Sequence, residues 1–206
     1  MNPVPRPGQP APPLVLGSSS IYRRELLQRL RLGFDVVRPE VDEAPQPGEL
    51  PQATAVRLAL AKAEAVHRLR PEAVVIGSDQ VASCEGRQIG KPGDHERARA
   101  QLRAMSGREV VYYTALCVID GRNGRVEADA AVVRVRFREL ADAEIESYLH
   151  AEQPYDVAGS AKCEGLGIAL LERIDSDDPT ALVGLPLIRL VTLLRKLGYP
   201  VLPGSA

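Results

Sequence analysis

Two long runs of strand-forming residues, Val110–Ile119 and Val126–Phe137, flank the segment Asp120-Gly121-Arg122-Asn123-Gly124. Its glycines and asparagine tolerate the positive φ angles of a tight connection, so the two runs predict a long antiparallel hairpin. The chain before them follows another rule. Leu14–Leu16, Phe34–Val37 and Val74–Val81 read as strands, and helical spacing lies between them: Ile21, Leu26, Leu27 and Leu30, then Ala55, Leu58, Ala59, Lys62, Ala63 and Val66. Strands separated by helices pair in parallel. A βαβαβ half followed by a hairpin therefore predicts an α/β fold with a mixed sheet.

The remaining elements follow from local signals. Ser20 or a neighbour caps the first helix, and Gly33 is expected to end it. Pro39–Pro51 reads as an acidic, proline-rich loop, and Glu85-Gly86 as a turn into Gln88-Ile89. Helices are expected over Asp94–Met105, Ala141–His150 and Leu185–Leu197, with a strand over Ile168–Ile174. Val133, Val135 and Phe137 alternate with Arg134, Arg136 and Arg138, which read as a solvated face.

Composition narrows the class. At 206 residues, 45% hydrophobic and 26% charged, the chain suits one large α/β domain or two small lobes. A net charge of −1 argues against a nucleic-acid partner, which draws a basic surplus. No apolar run approaches the roughly 20 residues that span a bilayer. Met1–Pro13 is proline-rich without an apolar centre and reads as a disordered extension; residues 14–202 form the expected single catalytic domain and 203–206 a tail. Cys84, Cys117 and Cys163 are odd in number and lack CxxC spacing, which points to a reducing cytosol rather than disulfides or zinc. Cys163 lies in a polar segment where a nucleophile is conceivable, but an incidental thiol is the preferred reading. His67, His95 and His150 are far apart without HExxH spacing, and read as surface histidines rather than ligands.

The chemistry centres on Val74-Val75-Ile76-Gly77-Ser78-Asp79-Gln80-Val81. A buried strand delivers the carboxylate of Asp79 beside a glycine, as if a ligand had to approach the backbone closely; the alternative is an aspartate capping a turn. There is no GxxxxGK[ST] loop and no GxGxxG after a strand. Three other features converge. Ser18-Ser19-Ser20-Ile21-Tyr22-Arg23-Arg24 sets hydroxyls, helix N–H groups and guanidinium groups at a strand-to-helix junction, which suits phosphate. Lys91 and Lys162 stand beside turns. Acids in loops, Glu40-Val41-Asp42-Glu43 and Asp79, facing phosphates would require a divalent cation such as magnesium between them.

Taken in order, these segments resemble the Maf family of nucleoside triphosphate pyrophosphatases from Leu14 to about Leu202. The matching segments are Leu16–Arg24, Pro39–Glu43, Ala59–Ala63, Ile76–Gln80, Gly90–Pro92, Ala158–Gly165 and Val183–Pro186. The resemblance implies an elongated mixed sheet flanked by helices, two lobes with a cleft between them, and hydrolysis of noncanonical nucleoside triphosphates to a monophosphate and pyrophosphate. It implies a divalent metal, magnesium or manganese, and suggests a homodimer. Asp79 falls on the proton-acceptor position, and Tyr22, Gln80 and Glu164 on positions linked to substrate choice. Gln80 and Glu164 look like the 7-methyl-GTP branch.

The expected mechanism is in-line attack of water on the α-phosphorus. Asp79 takes the proton or shares the metal with Glu40. Ser18, Arg23, Arg24, Lys62, Lys91 and Lys162 meet the phosphates. Glu164 accepts from guanine N1–H and N2–H₂, and Tyr22 faces the cationic 7-methyl base. Ile21, Tyr22, Ala161 and Cys163 depart from the usual pattern of that branch, which leaves the base open. The rival readings are a broader or pyrimidine-directed pyrophosphatase and a nucleotide-binding regulator of septum formation.

Overall fold

The computed structural model describes residues 11–202. Most of the expected N-terminal extension and the tail at 203–206 lie outside them. Among the described residues a seven-stranded mixed sheet carries five α-helices. The elements are β1 (Leu14–Gly17), α1 (Ile21–Gln28), β2 (Asp35–Val37), α2 (Pro51–Leu69), β3 (Val74–Cys84), β4 (Arg87–Ile89), α3 (His95–Met105), β5 (Glu109–Asp120), β6 (Arg125–Phe137), α4 (Asp142–Glu152), β7 (Leu171–Asp175) and α5 (Leu187–Lys196). The sheet order is β2-β1-β3-β5-β6-β7, with β4 also on β3. β2, β1 and β3 run parallel; every other pairing is antiparallel.

One detail of this topology makes the site. β5 covers one edge of β3 along its whole length. The other edge is shared: β1 pairs with Leu14 to Gly17 against Val74 to Gly77, and β4 pairs against Ala82 to Cys84. Among the described residues, no strand pairs with residues 78–81 on that side. From β1 the chain crosses through α1 to β2 on one flank, then through α2 to β3 on the other. The crevice beyond the carboxyl end of β1 is thus a topological switch point, where open α/β sheets bind ligands.

Three apolar clusters hold the sheet. One packs α1 and α5 on β1 and the first half of β3, through Leu16, Ile76, Leu190 and Leu194. A second packs α3 and α4 on the far halves of β5 and β6, through Leu102, Met105, Phe137 and Leu149. The third lies under α2 on the opposite face, through Val15, Ala59, Ala63 and Val75. The first two clusters occupy opposite ends of the long strands, which gives the expected two lobes, with the switch-point crevice between them.

Several boundaries differ from expectation. α1 stops at Gln28, and the chain turns through Arg31 at φ 55°, so Gly33 does not end it. β7 begins only at Leu171, because Leu166–Leu170 forms a 3₁₀ turn. There Gly167 packs against the backbone of Lys162, so closely that a β-carbon would lie 2.6 Å from its nitrogen. Pro186 stands before α5 as its N-cap residue rather than within the first turn. The arginine row is solvated: Arg134, Arg136 and Arg138 are exposed, and Arg134 meets Glu109 at 3.0 Å.

Candidate active site

Gly77 has a different purpose from the one its sequence setting suggests. A β-carbon there would lie 2.6 Å from the Ala63 nitrogen and 2.8 Å from the Ala63 β-carbon. The close approach is made by α2, not by a ligand. Ala59 and Ala63, one helical turn apart, present small side chains to the glycine. This contact lowers α2 onto the sheet and brings Lys62 over the neighbouring strand position on the same face, Asp79. Lys62 Nζ lies 2.6 Å from Asp79 Oδ1 and 2.7 Å from Glu43 Oε1. Lys62 and Asp79 are both more than nine-tenths buried, whereas Glu43 reaches in from the exposed loop.

Around this chain of charges lies a cavity of about 1180 Å³. Its walls include Ser18 to Arg23, Arg38 to Val41, Glu43, Lys62, Asp79 to Val81, Gly90, Lys91, Asp156 to Ala158 and Gly184. Ser18, Tyr22, Arg23, Glu40, Lys62, Asp79, Gln80 and Lys91 are thereby brought together from the anticipated set. Arg24 is exposed on α1 and does not line it. Neither do Lys162 and Glu164. Lys162 is paired with Glu152 at 2.8 Å, and its Nζ stands 5.8 Å from the Tyr22 ring centroid. Glu43, named only within the acidic loop, lines the cavity, as do Arg38 and Asp156, which were not singled out. The alternating pattern that marks buried positions carries no signal for charged loop residues of this kind.

The phosphate-like features of the β1–α1 junction are partly committed to the loop itself. Ser18 Oγ accepts from the Ser20 N–H at 3.1 Å, and Ser20 Oγ accepts from the Arg23 N–H at 3.4 Å, capping α1. Arg23 Nε–H donates to the Gly184 carbonyl at 2.9 Å. Burial lowers the Arg23 pKa and outweighs the charges of Asp79 and Glu43, which act to raise it. For Glu43, burial pushes the pKa up. The Lys62 hydrogen bond and the charges of Lys62, Lys91 and Arg23 outweigh it and hold the carboxyl below its ordinary value.

Gln80 points to the other face of the sheet. Its Nε2 lies 2.9 Å from Thr114 Oγ1 and 3.0 Å from the carbonyls of both Ala181 and Leu182. Thr114 Oγ1–H donates to Ala181 O at 2.9 Å, and Ser78 Oγ–H to Gly184 O at 3.3 Å. The side chains of Ser78, Gln80 and Thr114 thus hold the 181–184 loop, whose last carbonyl orients Arg23. Asp178, 1% exposed, supports the same loop by accepting from Thr180 and from the Ile188 and Arg189 N–H groups at the start of α5.

Tyr22 sits among acids. Burial raises its pKa first, the Asp156 charge raises it further, and Lys162 opposes that with Glu164 on the acidic side. Cys163 is no nucleophile at neutral pH: burial, reinforced by Glu164, pushes its thiol up to about 12. The histidines need correction. His150 is at the surface as expected and His95 is half-buried, but the two are not apart: their rings stand 5.1 Å from each other and both approach Glu146. A fold that lays α3 beside α4 brings together what 54 intervening positions kept apart in the sequence.

The sequence profile of a family described as Maf-like protein matches residues 13–197. A protein of Burkholderia thailandensis named 7-methyl-GTP pyrophosphatase is 64% identical over 198 residues, covering 95% of this chain and 92% of its own. A Cupriavidus pinatubonensis protein of the same name is 60% identical over 191 residues, covering 93% and 96%. One from Ralstonia nicotianae, again of that name, is 60% identical over 190 residues, covering 92% and 98%.

Proposed function

The chain belongs to the Maf family, and from that premise we propose that it hydrolyses 7-methyl-GTP to 7-methyl-GMP and pyrophosphate at the switch-point cavity, with residues 14–202 as its catalytic domain. The observation that carries this reading is the Asp79–Lys62–Glu43 chain of charges, held by the Gly77 contact where one edge of β3 is left open. The names of the relatives supply the substrate.

The cavity's charges explain why a divalent cation belongs there. Arg23, Arg38, Lys62 and Lys91 contribute four positive charges, and Glu40, Glu43, Asp79 and Asp156 four negative ones. The positive side chains are matched in number by acids, so the lining carries no formal charge surplus to offset a triphosphate, and a divalent cation would supply one. Glu40, Glu43 and Asp79 offer hard oxygen donors, which fit magnesium or manganese. Bound there, such an ion supplies charge neutralisation of the phosphate oxygens.

The chain's own residues do the rest. Asp79 accepts the proton of the water that attacks the α-phosphorus, and Lys62 fixes the carboxylate through its Oδ1. Help of this kind is worth about 10²–10⁴-fold. Arg23, oriented by Gly184, and Lys91 stabilise charge on the phosphoryl oxygens and on the departing pyrophosphate. Tyr22 offers a ring face to the base. Of the charges beside it, Lys162 is paired with Glu152, and the acids Asp156 and Glu164 favour a cationic ring such as 7-methylguanine over neutral guanine; cation–π attraction adds on the order of 0.5–2 kcal/mol. Gln80 serves by holding the 181–184 loop rather than by reading the base.

The test is product analysis with purified protein, magnesium or manganese, and a panel of 7-methyl-GTP, GTP, UTP, dTTP, ITP and XTP. The expected result is pyrophosphate release fastest from 7-methyl-GTP. A pyrimidine preference would refute the base assignment, and release of orthophosphate would refute the reaction.

A further inference from the structure

In the second lobe, outside the lining of the cavity, three side chains converge. Glu146 and His150 lie one turn apart on α4, and His95 opens α3. Each offers a donor atom within 4.8 Å of the other two. His95 Nε2 lies 2.9 Å and His150 Nε2 3.8 Å from Glu146 Oε2. We propose that His95, Glu146 and His150 form a binding site for a transition-metal dication, zinc by preference, distinct from the magnesium or manganese that accompanies the substrate.

The geometry fits that ion. With zinc–nitrogen and zinc–oxygen bonds of about 2.0–2.1 Å, two donors of a tetrahedral ion stand about 3.4 Å apart. The two measured distances bracket that value, and His150, on the helix surface, closes the remainder by rotating its side chain. The outer contacts also fit. His95 Nδ1 lies 3.1 Å from the Tyr155 hydroxyl, which directs Nε2 toward the carboxylate. Arg99 Nε stands 2.8 Å from Glu146 Oε1, leaving Oε2 to the histidines. Metal-binding histidines characteristically have their second nitrogen held in this way. Two imidazoles and one carboxylate select zinc over magnesium, with a fourth position for water.

The position couples the site to the cleft. Tyr155, which holds His95, accepts from the Gly93 N–H at 3.0 Å through its carbonyl. Gly90 and Lys91 lie just before Gly93, and Asp156 to Ala158 just after Tyr155; both segments line the cavity. A metal here clamps α3 to α4 directly behind two cavity walls.

The test is calorimetric titration of zinc chloride into chelator-treated, dialysed protein, with excess magnesium present to satisfy the oxygen donors of the cavity. The wild type is expected to bind one equivalent, to melt at a higher temperature with zinc, and to give the strong visible bands of low-coordinate cobalt when cobalt(II) replaces zinc. His150→Ala, which alters an exposed side chain, is expected to weaken zinc binding at least tenfold and to abolish the thermal shift; His95→Ala is expected to do the same. Zinc binding unchanged in both variants would overturn the proposal. So would binding in the wild type that disappears in Asp79→Asn instead.

Discussion

Replacing Gly77 by alanine tests how the fold creates the site. The added β-carbon would lie 2.6 Å from Ala63 N and 2.8 Å from Ala63 Cβ, where carbon atoms pack best at about 3.5–4.0 Å. Relief requires α2 to rise from β3 by about 1 Å, since backbone atoms cannot rotate away. Overpacking of this kind costs about 1–3 kcal/mol, offset by at most about 1 kcal/mol from the stiffer unfolded chain. A net cost of up to about 3 kcal/mol, at about 2–4 °C per kcal/mol, lowers the melting temperature by up to about 12 °C. The larger effect falls on catalysis. Lys62 travels with α2, and a misplacement of about 1 Å at a catalytic group costs on the order of 10²-fold. Thermal denaturation by circular dichroism and steady-state pyrophosphate release measure the two effects on one preparation. A variant with wild-type melting temperature and wild-type kcat would refute the claim that this contact sets Lys62 against Asp79.

Three further outcomes are expected. Gln80→Leu, which cannot bond Ala181 and Leu182, should increase hydrogen exchange across residues 181–184 and lower kcat while Asp79 and Lys62 remain in place. Glu43→Gln should lose up to about 1 kcal/mol at neutral pH, the pair being exposed on the Glu43 side. The Glu43 pKa is lowered on folding, so its contribution exists above the ordinary glutamate range and fades as pH falls through the folded value; denaturant melts of wild type and variant should therefore converge in acid. Cys163, with its thiol at about 12, should react with iodoacetamide far more slowly at pH 8 than a free thiol, as peptide mass spectrometry of the alkylated protein can show.

Much of the architecture was legible because its signals are local. The β-branched runs and the Asp120–Gly124 turn announced β5 and β6, and the Asp94 cap, which accepts from the Arg97 N–H at 2.8 Å, announced α3. The ordered segments from Ser18 to Gly184 announced the cavity. What was not legible depends on which element faces which. A glycine beside an aspartate looks the same whether a ligand or a helix approaches it; only the packing of Ala59 and Ala63 decides. Lys162 and Lys91 sit in similar turns, yet one is spent on Glu152 and the other lines the cavity. His95 and His150 acquire a shared carboxylate only when α3 and α4 are laid side by side. Arg38 and Asp156, on irregular segments, have no periodicity to betray them.

In the proposed reaction Asp79, fixed by Lys62, drives water onto the α-phosphorus. Its most direct test is single-turnover hydrolysis of 7-methyl-GTP by the wild type and by Asp79→Asn, in protein freed of contaminating pyrophosphatase and shown to be folded. The variant is expected to be slower by about 10²–10⁴-fold, with 7-methyl-GMP and pyrophosphate as the wild-type products. A variant that turns over at the wild-type rate would contradict it.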